Sequence, residues 1–69
     1  MPLSMVEAGK ENIIKSVSGK REAKSFLENL GFEAGGIVTV ISEIGGNMIV
    51  RVKDLRVAIG KDMANIIMV

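Results

Sequence analysis

From residue 37 onward the chain alternates. In "IVTVISEI", which begins at Ile37, Val38 and Val40 share one side while Thr39, Ile41 and Glu43 share the other. In "MIVRVK", Met48, Val50 and Val52 alternate with Ile49, Arg51 and Lys53. In "DLRVAIG", Leu55, Val57 and Ile59 fall on one face. A period of two over such short runs predicts half-buried strands. Gly45, Gly46 and Asn47 supply a hairpin turn between the first two runs, and Asp54 marks the turn between the second and third. The segment Lys61 to Ala64 has room for one helical turn, and "NIIMV" reads as a closing strand.

Earlier in the chain the period differs. "ENIIKSV", Glu11 to Val17, reads as a first strand that ends at Ser18-Gly19. In "GKREAKSFLENLG", Ala23, Phe26, Leu27 and Leu30 recur at i, i+3, i+4 and i+7, which is one face of an amphipathic helix. Lys20, Arg21, Lys24, Glu28 and Asn29 occupy its other faces. Gly31, Gly35 and Gly36 then crowd six positions around Phe32. The helix must stop and the chain must turn into a strand. Gly31 suits a left-handed helix cap, Phe32 can fold back onto the apolar stripe, and "EAGG" makes the turn. The reading is mainly β: five short strands and one short helix inserted after the first, with the last strand paired to the first. Closure into a small barrel removes exposed edges.

Composition sharpens this picture. The chain has 69 residues, so residues 1–69 form one domain. A domain this small buries only about 60% of its unfolded surface and needs a dense core or staples. Cysteine and histidine are both absent, so there is no disulfide, imidazole or thiolate. The core, drawn from 48% hydrophobic residues, carries the stability alone. The sequence carries no export signal and no run long enough to span a bilayer, so the expected location is cytoplasmic.

Several chemical motifs fail on inspection. Gly19-Lys20 follows a strand and opens a helix, but a phosphate-binding loop needs Gly at 14 and Ser or Thr at 21, where Ile14 and Arg21 stand. "GFEAGG" is not a dinucleotide fingerprint. The serines lack a histidine to activate them. The carboxylates Glu7, Glu11, Glu22, Glu28, Glu33, Glu43, Asp54 and Asp62 are scattered, so a tight transition-metal site is not expected. No enzyme, catalytic residue or cofactor is expected; weak contact of Fe(II) or another divalent ion with surface glutamates stays open. Two basic groups remain, Lys20–Arg21–Lys24 on the helix and Arg51–Lys53–Arg56 around the second turn. A net charge of +1 and no exposed aromatic platform rank nucleic acid last among partners.

The ordered set of residues resembles the FeoA family. It runs from "LSMVEAGKENIIKSVSG" through "FLENLGFEAGGIVTVI" and a glycine-containing hairpin to "VRVKDLRVAIGKDMANIIMV". Leu27, Leu30, Gly31, Phe32, Gly35, Val38 and Val40 carry most of the likeness, backed by Val57, Ala58 and Ile59. The resemblance implies an SH3-like barrel with a helix after the first strand, a fold also found at the C-terminus of iron-dependent repressors. It implies a non-enzymatic accessory role in bacterial ferrous iron uptake, with docking on the cytoplasmic GTP-binding domain of the permease FeoB and no insertion into the membrane. Family members are described as binding transition metals, so a metal-binding or metal-responsive role is the alternative, and a small-barrel RNA binder a further one. Two positions depart from the family pattern: Ala34-Gly35 replaces a Pro-Gly turn, and "EIGGN" replaces a proline-bearing hairpin.

An SH3-like barrel offers a groove between loops to a partner. The expected groove lies between the Gly31–Gly36 turn and the Gly45–Asn47 hairpin. Lys20, Arg21 and Lys24 would steer an acidic surface toward it, and Phe32 and Ile44 would anchor the contact.

Overall fold

The computed structural model describes residues 1–69. After a 3-10 turn at Leu3–Met5 come β1 (Glu11–Ile13), β2 (Ser16–Val17), α1 (Arg21–Leu30), β3 (Ile37–Ile44), β4 (Asn47–Val52), β5 (Leu55–Gly60), α2 (Lys61–Ala64) and β6 (Ile67–Met68). One antiparallel sheet has the order β1-β3-β4-β5, and a second pairs β2 with β6. The alternation works as predicted: Val38, Val40, Met48, Val50, Val52 and Ile59 are each at most 4% exposed and form the heart of one core.

The expected first strand, Glu11 to Val17, is two strands, which makes six in all. The break has a structural cause. Ile14 exchanges backbone hydrogen bonds with the glycine turn, its N–H donating to Gly36 O and its carbonyl accepting from Gly35 N–H, both at 2.8 Å. One residue later, Lys15 N–H donates to Met68 O at 2.7 Å. The chain therefore leaves one sheet and joins the other within two residues, the corner by which sheets of a small barrel share a strand. The pairing of the chain's last strand with its first holds for the β2 half. The N-terminal segment tightens the same seam: Pro2 bridges to Met68, and Leu3 is wholly buried. No helix is long and apolar enough to cross a membrane.

α1 ends as its sequence predicts. Gly31 adopts φ +110°, and Phe32 N–H reaches back to Leu27 O at 3.0 Å, the long bond of a Schellman motif. The apolar stripe is narrower than predicted. Leu27 is fully buried and Ala23 and Leu30 are half-buried, but Phe26 is 51% exposed. Phe26 and Leu27 lie about 100° apart around the helix, on opposite flanks of the stripe. The barrel takes the Leu27 flank and leaves Phe26 outside. Leu55, expected on one face with Val57 and Ile59, stands 54% exposed at the start of β5, beside the Lys53–Asp54 turn.

Candidate functional site

The same alternation that fills the core also builds an outer face. Glu11, Thr39, Arg51 and Arg56 lie in register as one row across β1, β3, β4 and β5. Two residues along, Ile13 pairs with Ile37. Both stay in water, 64% and 54% exposed, on a face where alternation calls for polar residues. This sheet floors a cleft of about 430 Å³, walled on one side by Gly31, Gly35 and Gly36 and on the other by Lys53 and Asp54. A smaller concavity of about 350 Å³ continues it, sharing Glu11, Thr39 and Arg51 and reaching Arg56.

The two walls are tied together by one side chain. Lys53 is the single non-glycine residue with positive φ, at +54°. From that turn its aliphatic stem lies over Gly31, with Cδ 3.3 Å from where a β-carbon would stand. Its Nζ reaches Glu33 Oε1 at 2.9 Å. The hydrogen bond from Lys53, and then its charge, hold the Glu33 carboxyl below the usual carboxylate range.

The expected interaction residues do not converge. Lys20, Arg21 and Lys24 are exposed at the start of α1, about 10–16 Å along the helix from Gly31. Ile44 is 66% exposed at the far end of β3. Phe32 cannot serve as a surface anchor: it is 0% exposed, because the Schellman turn folds it under Gly31 and into the core. The Gly45–Asn47 hairpin is not a wall of the cleft either. The eight residues of β3, about 25 Å of strand, separate it from the glycine turn, and Gly46 O instead accepts Lys61 N–H of α2 at 3.1 Å. The turn that faces Gly31–Gly36 is Lys53–Asp54. Glu11, Ile13, Ile37 and Thr39 escaped the sequence-based site, although two isoleucines on an outward register were a visible signal.

The donor set does not fit a tight transition-metal site. There is no histidine or cysteine, and no three carboxylates converge.

A model of the FeoA domain matches residues 1–69. This chain belongs to the FeoA family. The family is associated with ferrous iron transport. A solved structure described as an iron uptake regulatory protein (FeoA) shares 31% identity, covers 97% of this chain and 91% of its own, and superposes with a TM-score of 0.87. The zinc-complexed FeoA of Stenotrophomonas maltophilia, described as a prokaryotic SH3 domain protein, shares 23% identity over 97% of this chain and 86% of its own, with a TM-score of 0.86. A manganese-dependent transcriptional repressor contains the same fold: 17% identity, TM-score 0.87, over 97% of this chain and 39% of the repressor. Comparison with curated proteins gives no match. The FeoA fold is thus an SH3-like barrel, its two sheets joined here through the β1–β2 corner.

Proposed function

We propose that this protein is a cytoplasmic, non-enzymatic accessory and regulatory factor of ferrous iron uptake, acting by contact with the GTP-binding domain of the permease FeoB. The observation that carries this reading is the family match over the entire chain. The 31% identical relative described as an iron uptake regulatory protein supports it. The chemistry of the chain agrees: without histidine or cysteine, and with no buried polar or charged side chain, its working surface is its exterior.

On that exterior, Lys20, Arg21 and Lys24 sit together without an ion-pair partner and steer an acidic surface. Ile44, 66% exposed at the far end of β3, offers an apolar contact of its own, separate from that cationic group. Calorimetric titration of the permease's soluble GTP-binding domain tests the assignment. The K20E/R21E/K24E variant should lose about tenfold or more in affinity, mostly through slower association. Wild-type protein that gives no heat and no complex on gel filtration would remove the reading.

A further inference from the structure

We propose that the outer face of the four-stranded sheet is a second docking surface, which takes an extended acidic peptide with an aliphatic side chain two residues from its carboxylate. This surface is distinct from the cationic start of α1, and its recognition of a peptide does not depend on the permease.

Arg51 and Arg56 face each other in register across β4 and β5, and both are exposed. Like charges placed directly opposite oppose strand pairing. Neither arginine has a carboxylate to relieve this: the ion pairs join Lys10 to Glu7, Lys53 to Glu33 and Lys61 to Glu43. Two guanidinium forks side by side make a receptor for a carboxylate, which each can grip with paired N–H donors. A bound carboxylate turns the repulsion into attraction.

The apolar part stands at the matching distance. Thr39 is the register partner of Arg51, so Ile37 lies diagonal to Arg51, about 7–8 Å away. Same-side residues of an extended peptide, i and i+2, are spaced by about 7 Å. A Glu-x-Leu segment therefore lays its carboxylate on the arginines and its leucine on the exposed Ile13–Ile37 pair. Nucleic acid fits less well. Its phosphates repeat along the whole strand, and those beyond the arginines meet Glu11 at the end of the row and Asp54 on the rim, whereas the peptide sets a single carboxylate on the arginine pair itself. Neither of the two phenylalanines lines either concavity, so the face gives bases nothing to stack on.

The test is an amide-resolved NMR titration of the full-length, nitrogen-15-labelled chain with the capped peptide Glu-Ser-Leu-Ser-Glu-Ser-Leu. Expected is saturable binding, with shifts at Glu11, Ile13, Ile37, Thr39, Arg51 and Arg56. R51Q/R56Q should weaken it by about tenfold, whereas R21Q/K24Q, the same charge change elsewhere, should alter it by less than about twofold. Both arginines are exposed, and a well-dispersed amide spectrum verifies folding; R56Q alone serves if the double variant loses dispersion. Equal weakening by R21Q/K24Q, or equal binding of the peptide with Gln in place of Glu, overturns the proposal. So does tighter binding of a short oligothymidylate at this face, or shifts there that follow protein concentration without peptide, which would mark a second copy as the occupant.

Discussion

At one end of β4 the chain reverses through Gly45 and Gly46; at the other it reverses through Lys53 and Asp54. Both turns place a residue at positive φ, +61° at Gly45 and +54° at Lys53. Around the glycine turn there is open space, with no atom within 4 Å of an added β-carbon at either residue. Around the lysine turn the structure is crowded: Lys53 covers Gly31, pairs with Glu33 and borders the cleft. Glycine answers a purely local demand, since it takes positive φ at little cost. Lysine at the same kind of position accepts backbone strain, and what it obtains is a tertiary contact between the β4–β5 turn and the end of the helix. One end of the sheet is built for reversal alone, the other for holding two loops at a fixed separation.

The contrast should appear most strongly in the core beneath the lysine turn. Phe32, wholly buried there, should cost about 3–5 kcal/mol when changed to alanine. That is a third or more of the roughly 3.5–10 kcal/mol expected of a domain this size, at about 0.05–0.15 kcal/mol per residue. F32A should therefore unfold at a much lower urea midpoint than wild type. F26A removes the same side chain from the exposed flank of α1 and should shift stability by less than about 1 kcal/mol. Equal effects of the two would mean that Phe32 does not anchor this end.

Glycine substitutions compare the two ends directly. At Gly31, φ of +110° strains any side chain, and a β-carbon would press on the stem of Lys53. G31A should cost about 1–3 kcal/mol, with most of it from the backbone because the lysine stem can give way. At Gly46, which lies outside the positive-φ set and has open space, alanine should stabilise by about 0.4–1 kcal/mol by restricting the unfolded chain. Denaturation midpoints at unchanged slope measure both. A G46A variant as damaged as G31A would erase the distinction drawn between the turns.

What the sequence revealed follows the range of the forces involved. The stop at Gly31, the return of Phe32 and the alternation of β3, β4 and β5 depend on neighbours within a few positions, and each was readable. The break at Ile14 was not, because "ENIIKSV" has the composition of a continuous strand. Its bend comes from hydrogen bonds to Gly35, Gly36 and Met68, far along the chain. Leu3 was missed for a related reason: a three-residue turn has no periodicity to read. The cleft was half legible. Its glycine wall was expected, but the opposite wall was assigned to the wrong hairpin, since the distance between two turns depends on which end of β4 each occupies. The row from Glu11 to Arg56 exists only through register across four strands. Spacing along one chain does not reveal it.

The smallest effect isolates what the lysine contributes beyond its strain. Glu33 has a lowered pKa because Lys53 donates a hydrogen bond to it and places a positive charge beside it. A carboxyl whose folded value lies below its unfolded one adds stability above the unfolded range. That contribution fades as the pH falls from the ordinary 4.5 through the lower, folded value. Lys53→Asn is the informative variant. Asparagine tolerates the left-handed region, so the turn is kept while the charge is removed. In K53N, an NMR titration should show Glu33 returning toward its ordinary value. The stability difference from wild type near neutral pH should shrink under acid conditions. Both partners are more than half exposed, at 62% and 57%, so added salt should shrink that difference as well. If Glu33 keeps its low pKa in K53N, Lys53 is not its cause, and the lysine at this turn needs another reason for accepting the strain that glycine avoids at the opposite end of β4.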